Sequence, residues 1–125
     1  MQLQTIPVMV QPQITWHNKE NIMAHFAEIN GSNVVQRVIA IANSDADTEA
    51  NGIAKCRAIL GADTNWVQTS YNTNANVHGL GGTPFRKNFA GIGMIYNATI
   101  DGFVGTQPDS SWVLNSTTGL WEEDS

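Results

Sequence analysis

The stretch from Phe85 to Trp121, FRKNFAGIGMIYNATIDGFVGTQPDSSWVLNSTTGLW, constrains the fold more than any other part of this chain. It carries six of the ten aromatic side chains, and Gly, Asn, Asp and Pro interrupt it every few residues. Turn residues at such short intervals break a chain into hairpins, and a small β-domain places its large rings inside. The stretch therefore predicts a run of short antiparallel strands around an aromatic core. It holds no recognisable catalytic constellation, and no enzymatic activity is expected.

The rest of the composition agrees with one β-rich domain. At 125 residues the chain can build a single modest core. Net charge is −5, with six Lys and Arg that form no stripe. Phosphate binding needs clustered cations, so neither nucleic acid nor an anionic membrane surface is an expected partner. One cysteine, Cys56, excludes an intrachain disulfide framework. No apolar run has the length of a bilayer span. No basic segment followed by an apolar one opens the chain, so synthesis in a cytoplasm is expected.

Residues 1–22 contain two prolines and four glutamines without clear periodicity, and read as an extended or disordered arm. Met23 opens a segment that looks like a natural start. Lys19-Glu20 can be encoded by purine-rich codons resembling a ribosome-binding site. The expectation is translation from Met23, which intact-mass spectrometry of the native product checks. Residues 23–125 then form the single β-rich domain.

Met23 to Ile29 and Val34 to Ala42 read as a hairpin turning at Asn30-Gly31-Ser32-Asn33. Val38 to Ala42 is apolar on both faces, which predicts a central strand covered on each side. Asp47 or Thr48 can cap a helix over about 49–60, with Glu49 in its first turn and Gly61 as its stop. Ile53, Cys56, Ile59 and Leu60 share one arc of it, and Gly52 weakens it by about 1 kcal/mol relative to alanine. Asn65 to Tyr71 is the next strand. Asn72 to Lys87, NTNANVHGLGGTPFRK, reads as a long exposed loop, the kind of segment that carries function in compact domains. Asn72, Asn74, Asn76, His78, Leu80, Thr83, Arg86 and Lys87 are its candidate interaction residues. Ala90 to Asn97 reads as a strand with Gly91 and Gly93 on one face, a pair that predicts close packing of an aromatic ring from Tyr96, Trp112 or Trp121. Two further hairpins follow. The fold class is α+β: a mainly antiparallel, twisted sheet of about six to seven short strands with one short helix packed on it.

Other patterns invite a chemical reading and fail on spacing. Asp45, Asp47 and Glu49 alternate like the opening of a calcium loop, but Ala50 and Cys56 stand where that loop needs Gly and Glu. His17, His25 and His78 have no metal-ligand spacing. Cys56 lies on the apolar arc of the helix, where a thiol behaves as a small hydrophobe. Gly79 to Pro84 lacks the Lys-Ser/Thr of a phosphate loop, and Pro84 removes a backbone donor. No metal or cofactor is expected.

The order AHFAEI, VIAIA, GIAKC, LGADTNWVQTSYN, GGTPFRKNFAGIGMIYN, SWVLN, LWE resembles a family of small, poorly characterised proteins from tailed bacteriophages of marine cyanobacteria and related hosts. Members read close to YAGIGYTYD, followed by PQP, SWTLN and a final Trp. The resemblance covers about residues 23–122. Phe89 and Asn97 stand here in place of the usual Tyr and Asp. The family is described as hypothetical or virion-associated, so the resemblance implies a non-enzymatic virion component, either capsid decoration or tail- or fibre-associated. Its partners would be other virion proteins in a homo- or hetero-oligomeric assembly. Contacts would run through strand edges, the 72–87 loop and the arm, the last by β-augmentation. The alternative is a host-receptor or carbohydrate-binding module, since rings beside Asn and Asp side chains suit a surface glycan.

Overall fold

A computed structural model describes residues 23–123. The arm and the Met23 start concern residues that lie, wholly or at their boundary, outside this range. β1 (Met23–Ile29) and β2 (Val35–Ala42) pair antiparallel, and β3 (Asn65–Thr69) adds to the other side of β1, giving the order β2-β1-β3. The β1–β2 turn closes as the Asn-Gly signal predicts. The Asn30 side-chain oxygen accepts from the Ser32 and Val34 N–H groups at 2.9 and 3.0 Å, and Asn33 takes a left-handed φ of 63°. The central strand is therefore β1, not β2. β2 does bury apolar side chains on both faces, but part of its outer edge meets residues 93–96: Val35 N–H donates to the Met94 carbonyl at 2.8 Å, and Gly93 N–H to the Val35 carbonyl at 2.9 Å.

Between β2 and β3 runs α1 (Glu49–Leu60), over the predicted span. Thr48 caps it by accepting the Asn51 N–H at 3.1 Å, and Gly61 ends it with a φ of 128°. Gly52 is the close-contact point: a Cβ there would sit 2.1 Å from Phe26 Cζ. Cys56 is buried beside it, with Ile53 and Leu60 packed against the same cluster. Ile59, at the flank of the predicted arc, is instead 56 % exposed.

The sheet separates two cores. Ala24, Phe26, Ile41 and Trp66 face the helix with Cys56. Ala27 and Val35 face the other way, against Ala90 and Phe103. The period-two alternation of β1 produces this division: even-numbered residues meet α1 and odd-numbered residues meet the C-terminal half.

That second layer is built from three two-stranded hairpins: β4 (Thr73–Asn74) with β5 (Val77–His78), β6 (Ile95–Asn97) with β7 (Gly102–Val104), and β8 (Trp112–Asn115) with β9 (Leu120–Glu123). Among the described residues the architecture is α+β and mainly antiparallel, with nine short strands distributed over four small sheets. Of the aromatics between Phe85 and Trp121, only Phe103 is fully buried; Tyr96, Trp112 and Trp121 are half-buried. The stretch forms a layer laid on the sheet, with its rings partly at the surface.

The strand expected over Ala90 to Asn97 begins only at Ile95. Gly91 and Gly93 lie in the preceding turn, where Gly93 has a φ of 88° and the Met94 N–H donates to the Gly91 carbonyl at 3.0 Å. No aromatic packs on them: a Cβ on Gly91 would meet Met94 Sδ at 3.5 Å, and one on Gly93 would meet nothing within 4 Å. Close packing belongs instead to Gly102 and Gly119, where an added Cβ would fall 2.3 and 2.8 Å from the Lys87 stem.

Candidate functional site

The 72–87 segment is more ordered than the sequence implies. Thr73 is fully buried, and its hydroxyl accepts the Phe85 N–H at 3.1 Å. Ala75 and Asn76 turn the β4–β5 hairpin with φ of 52° and 62°, and the Asn76 N–H reaches the Lys87 carbonyl at 2.7 Å. The predicted interaction residues consequently divide. Asn74, Leu80 and Thr83 are exposed, Leu80 by 62 %. Asn72 and His78 line a cleft. Arg86 and Lys87 turn inward as structural residues, with left-handed φ of 54° and 69°.

Arg86 is the hub of a polar network joining three parts of the chain. Its Nη1 and Nη2 donate to the two Glu49 carboxylate oxygens at 2.5 and 3.1 Å, and its Nε donates to Asp101 Oδ1 at 2.9 Å. Nη1 also donates to the Gln68 carbonyl at 2.9 Å, while Glu49 Oε2 accepts the Gln68 N–H at 2.9 Å. Two side chains thus occupy the outer edge of β3 at Gln68, where a further strand would otherwise pair. The Tyr96 hydroxyl donates to Asp101. Burial acts against the Glu49 charge, but the Arg86 hydrogen bonds, the Gln68 N–H and the Arg86 charge together hold its carboxyl below the usual range. Asp101 is lowered chiefly by the Tyr96 hydroxyl and also by Arg86. Burial, then Asp101, pushes the Tyr96 phenol up. Two carboxylates share the one guanidinium, and their charge-assisted hydrogen bonds tie α1, β3 and the hairpin layer together.

Asn88 does the same in the interior. Its oxygen accepts the Ala75 N–H at 2.8 Å, and its NH2 group faces the carbonyls of Phe103, Thr118 and Gly119 at 3.0 to 3.2 Å.

The cleft lies where β1, the end of β3 and β5 meet, with a volume of about 260 Å³. His25 and Tyr71 form one wall, stacked at 5.6 Å between ring centroids, and Phe89 meets both edge-on at 5.7 and 5.4 Å. Asn43 and Asn72 add side-chain amides and Phe85 a further ring, while Gln68 also lines the cleft but pairs with Phe26, so its side chain leaves the sheet on the α1 face. His78 Nδ1 accepts the Leu80 and Gly82 N–H groups at 3.1 Å each, which leaves Nε2 as the donor of the neutral ring. Burial lowers the His25 pKa, favouring its neutral form. Gln68 and Asn43 are absent from the residues singled out by sequence; His25 enters there only as a histidine without metal-ligand spacing, and Tyr71 as one of the aromatic rings behind the glycan alternative. These four come from three separate elements, and no local spacing joins them.

Among the described residues, no group of three or more His, Cys, Asp or Glu side chains is placed to hold a metal ion. No helix among them is long and apolar enough to cross a membrane. In comparisons with known proteins, no family, no curated protein and no solved structure matches the chain.

Proposed function

We propose that this chain is a non-enzymatic structural or accessory component of a phage particle, attached to capsid or tail through protein–protein contacts. The supporting observation is the apolar display on the hairpin layer. Ile92 is 78 % exposed at its turn, Val77 63 % on β5, and Val113 and Leu120 54 % and 45 % on the last hairpin. Val113 and Leu120 belong to one face of that hairpin, since residues paired across an antiparallel ladder share a face and successive residues alternate. Apolar side chains kept at turns and hairpins, outside both cores, suit burial against a partner. The resemblance of residues 23–122 to virion-associated phage proteins points the same way. Gradient sedimentation of lysate from the phage that encodes the chain tests the reading. The tagged chain co-migrates with infectious particles if the reading holds, and remains at the top of the gradient if it does not.

A second reading, recognition of a glycan on the host surface, is favoured by the cleft. It sets an exposed ring, Tyr71, beside the side-chain amides of Asn43 and Asn72.

A further inference from the structure

We infer that the cleft binds a neutral saccharide, with a pyranose ring lying on Tyr71 and its hydroxyls bonded by the side chains of Asn43 and Asn72. The inference rests on the second reading above, that this cleft is a recognition site, and adds the class of ligand and the part each residue plays.

Tyr71 is 60 % exposed, yet His25 and Phe89 hold its ring in place. A ring fixed before binding loses little conformational freedom when a ligand arrives. The electron-rich face of an aromatic ring attracts weakly positive groups. The axial C–H groups of a pyranose form such a surface, and the hydroxyls around its rim need both donors and acceptors. A side-chain amide supplies both. Among the described residues, the side chains of Asn43 and Asn72 have no hydrogen-bond partner in the protein, although both are half-buried and line the cleft. No Lys, Arg, Asp or Glu lines it, so nothing there compensates a ligand charge. A volume of about 260 Å³ lies below the range of about 300–1,000 Å³ typical of drug-sized pockets. That size suits one sugar ring with the rest of a glycan outside.

The test is an NMR titration of the full chain with the methyl glycosides of glucose, galactose, mannose and N-acetylglucosamine. At least one sugar is expected to give saturable shifts centred on Tyr71, Asn72, Asn43 and His25. Tyr71→Ala is expected to weaken binding about tenfold, and Tyr71→Phe to retain it. Asn72→Ala, at a residue outside both cores, provides a second variant should Tyr71→Ala fold poorly, and is also expected to weaken binding. No saturable shift with any of the four sugars overturns the inference, as does undiminished binding by both alanine variants. A parallel titration with small uncharged amides and phenols separates the two levels. If these perturb the cleft and the sugars do not, the saccharide is wrong and the recognition site stands. If neither set perturbs it, both fall.

Discussion

Arg86 and Glu49, 37 residues apart, meet in a two-pronged ion pair that joins the hairpin layer to the first turn of the helix. The Arg86 side chain is only 15 % exposed and also serves Asp101 and the Gln68 carbonyl. Arg86→Ala therefore strands two carboxylates and a backbone acceptor at once. Breaking a fully buried pair costs about 3–5 kcal/mol; with Glu49 partly open to solvent the expected loss here is about 2–3 kcal/mol. Arg86→Lys keeps the charge but not the fork, and should lose about half of that. Urea denaturation of the two variants beside the wild type measures both.

Gly52→Ala separates local propensity from packing. Alanine gains about 1 kcal/mol in an exposed helix interior. Here its methyl would enter the Phe26 ring, which lies at the centre of the helix-side core. Overpacking of that kind costs about 1–3 kcal/mol or more. The variant is expected to be less stable than the wild type by thermal unfolding, and a gain in Tm would contradict the packing described for α1.

Asn88 is 6 % exposed and uses both ends of its amide. Asn88→Ala leaves the Ala75 N–H and the carbonyls facing its NH2 group without that partner, a loss of about 2–3 kcal/mol. Asn88→Asp is expected to be at least as damaging, because it points a carboxylate at three carbonyl oxygens. Chemical denaturation of both variants gives the order.

Acid should weaken the fold in two stages. His25 has a folded-state pKa below its ordinary 6.5, so the unfolded chain binds the proton first and stability falls as pH drops below about 6.5. Glu49 and Asp101 are depressed below their ordinary 4.5 and 3.8. Their contribution is present above those values and is lost as pH falls through the folded-state ones. Tm measured from pH 7.5 to 3 should begin to fall near pH 6.5 and fall further as the carboxylates protonate. His25→Gln should flatten the upper part of the decline and Glu49→Gln the lower part, whatever each does to stability at pH 7.5.

The N-terminal half was legible because its signals are local. Asn30-Gly31 marks the hairpin, Thr48 the helix start and Gly61 its end, and each acts within a turn of itself. The C-terminal half depends on contacts that no window contains. The β4–β5 hairpin turns through Ala75 and Asn76, both with positive φ, and alanine rarely announces such a turn. Gly91 and Gly93 alternate like strand residues, but they serve the Gly93 turn and the Met94 contact. Asn97, where the family resemblance expects Asp, accepts the Thr99 and Ile100 N–H groups, a turn role that either side chain can fill. Arg86 reads as one loop cation among six in the chain. Only the fold brings it to Glu49, Asp101 and the edge of β3. The cleft is hidden for the same reason, since His25 and Tyr71 meet only when β3 pairs with β1.

Mass spectrometry of gradient-purified phage particles, from the infection in which the proposed role would place the chain, tests that role most directly. The account predicts peptides of this chain in a fixed ratio to the major particle proteins, preparation after preparation. Abundant peptides in the infected-cell lysate with none in the particles would contradict it.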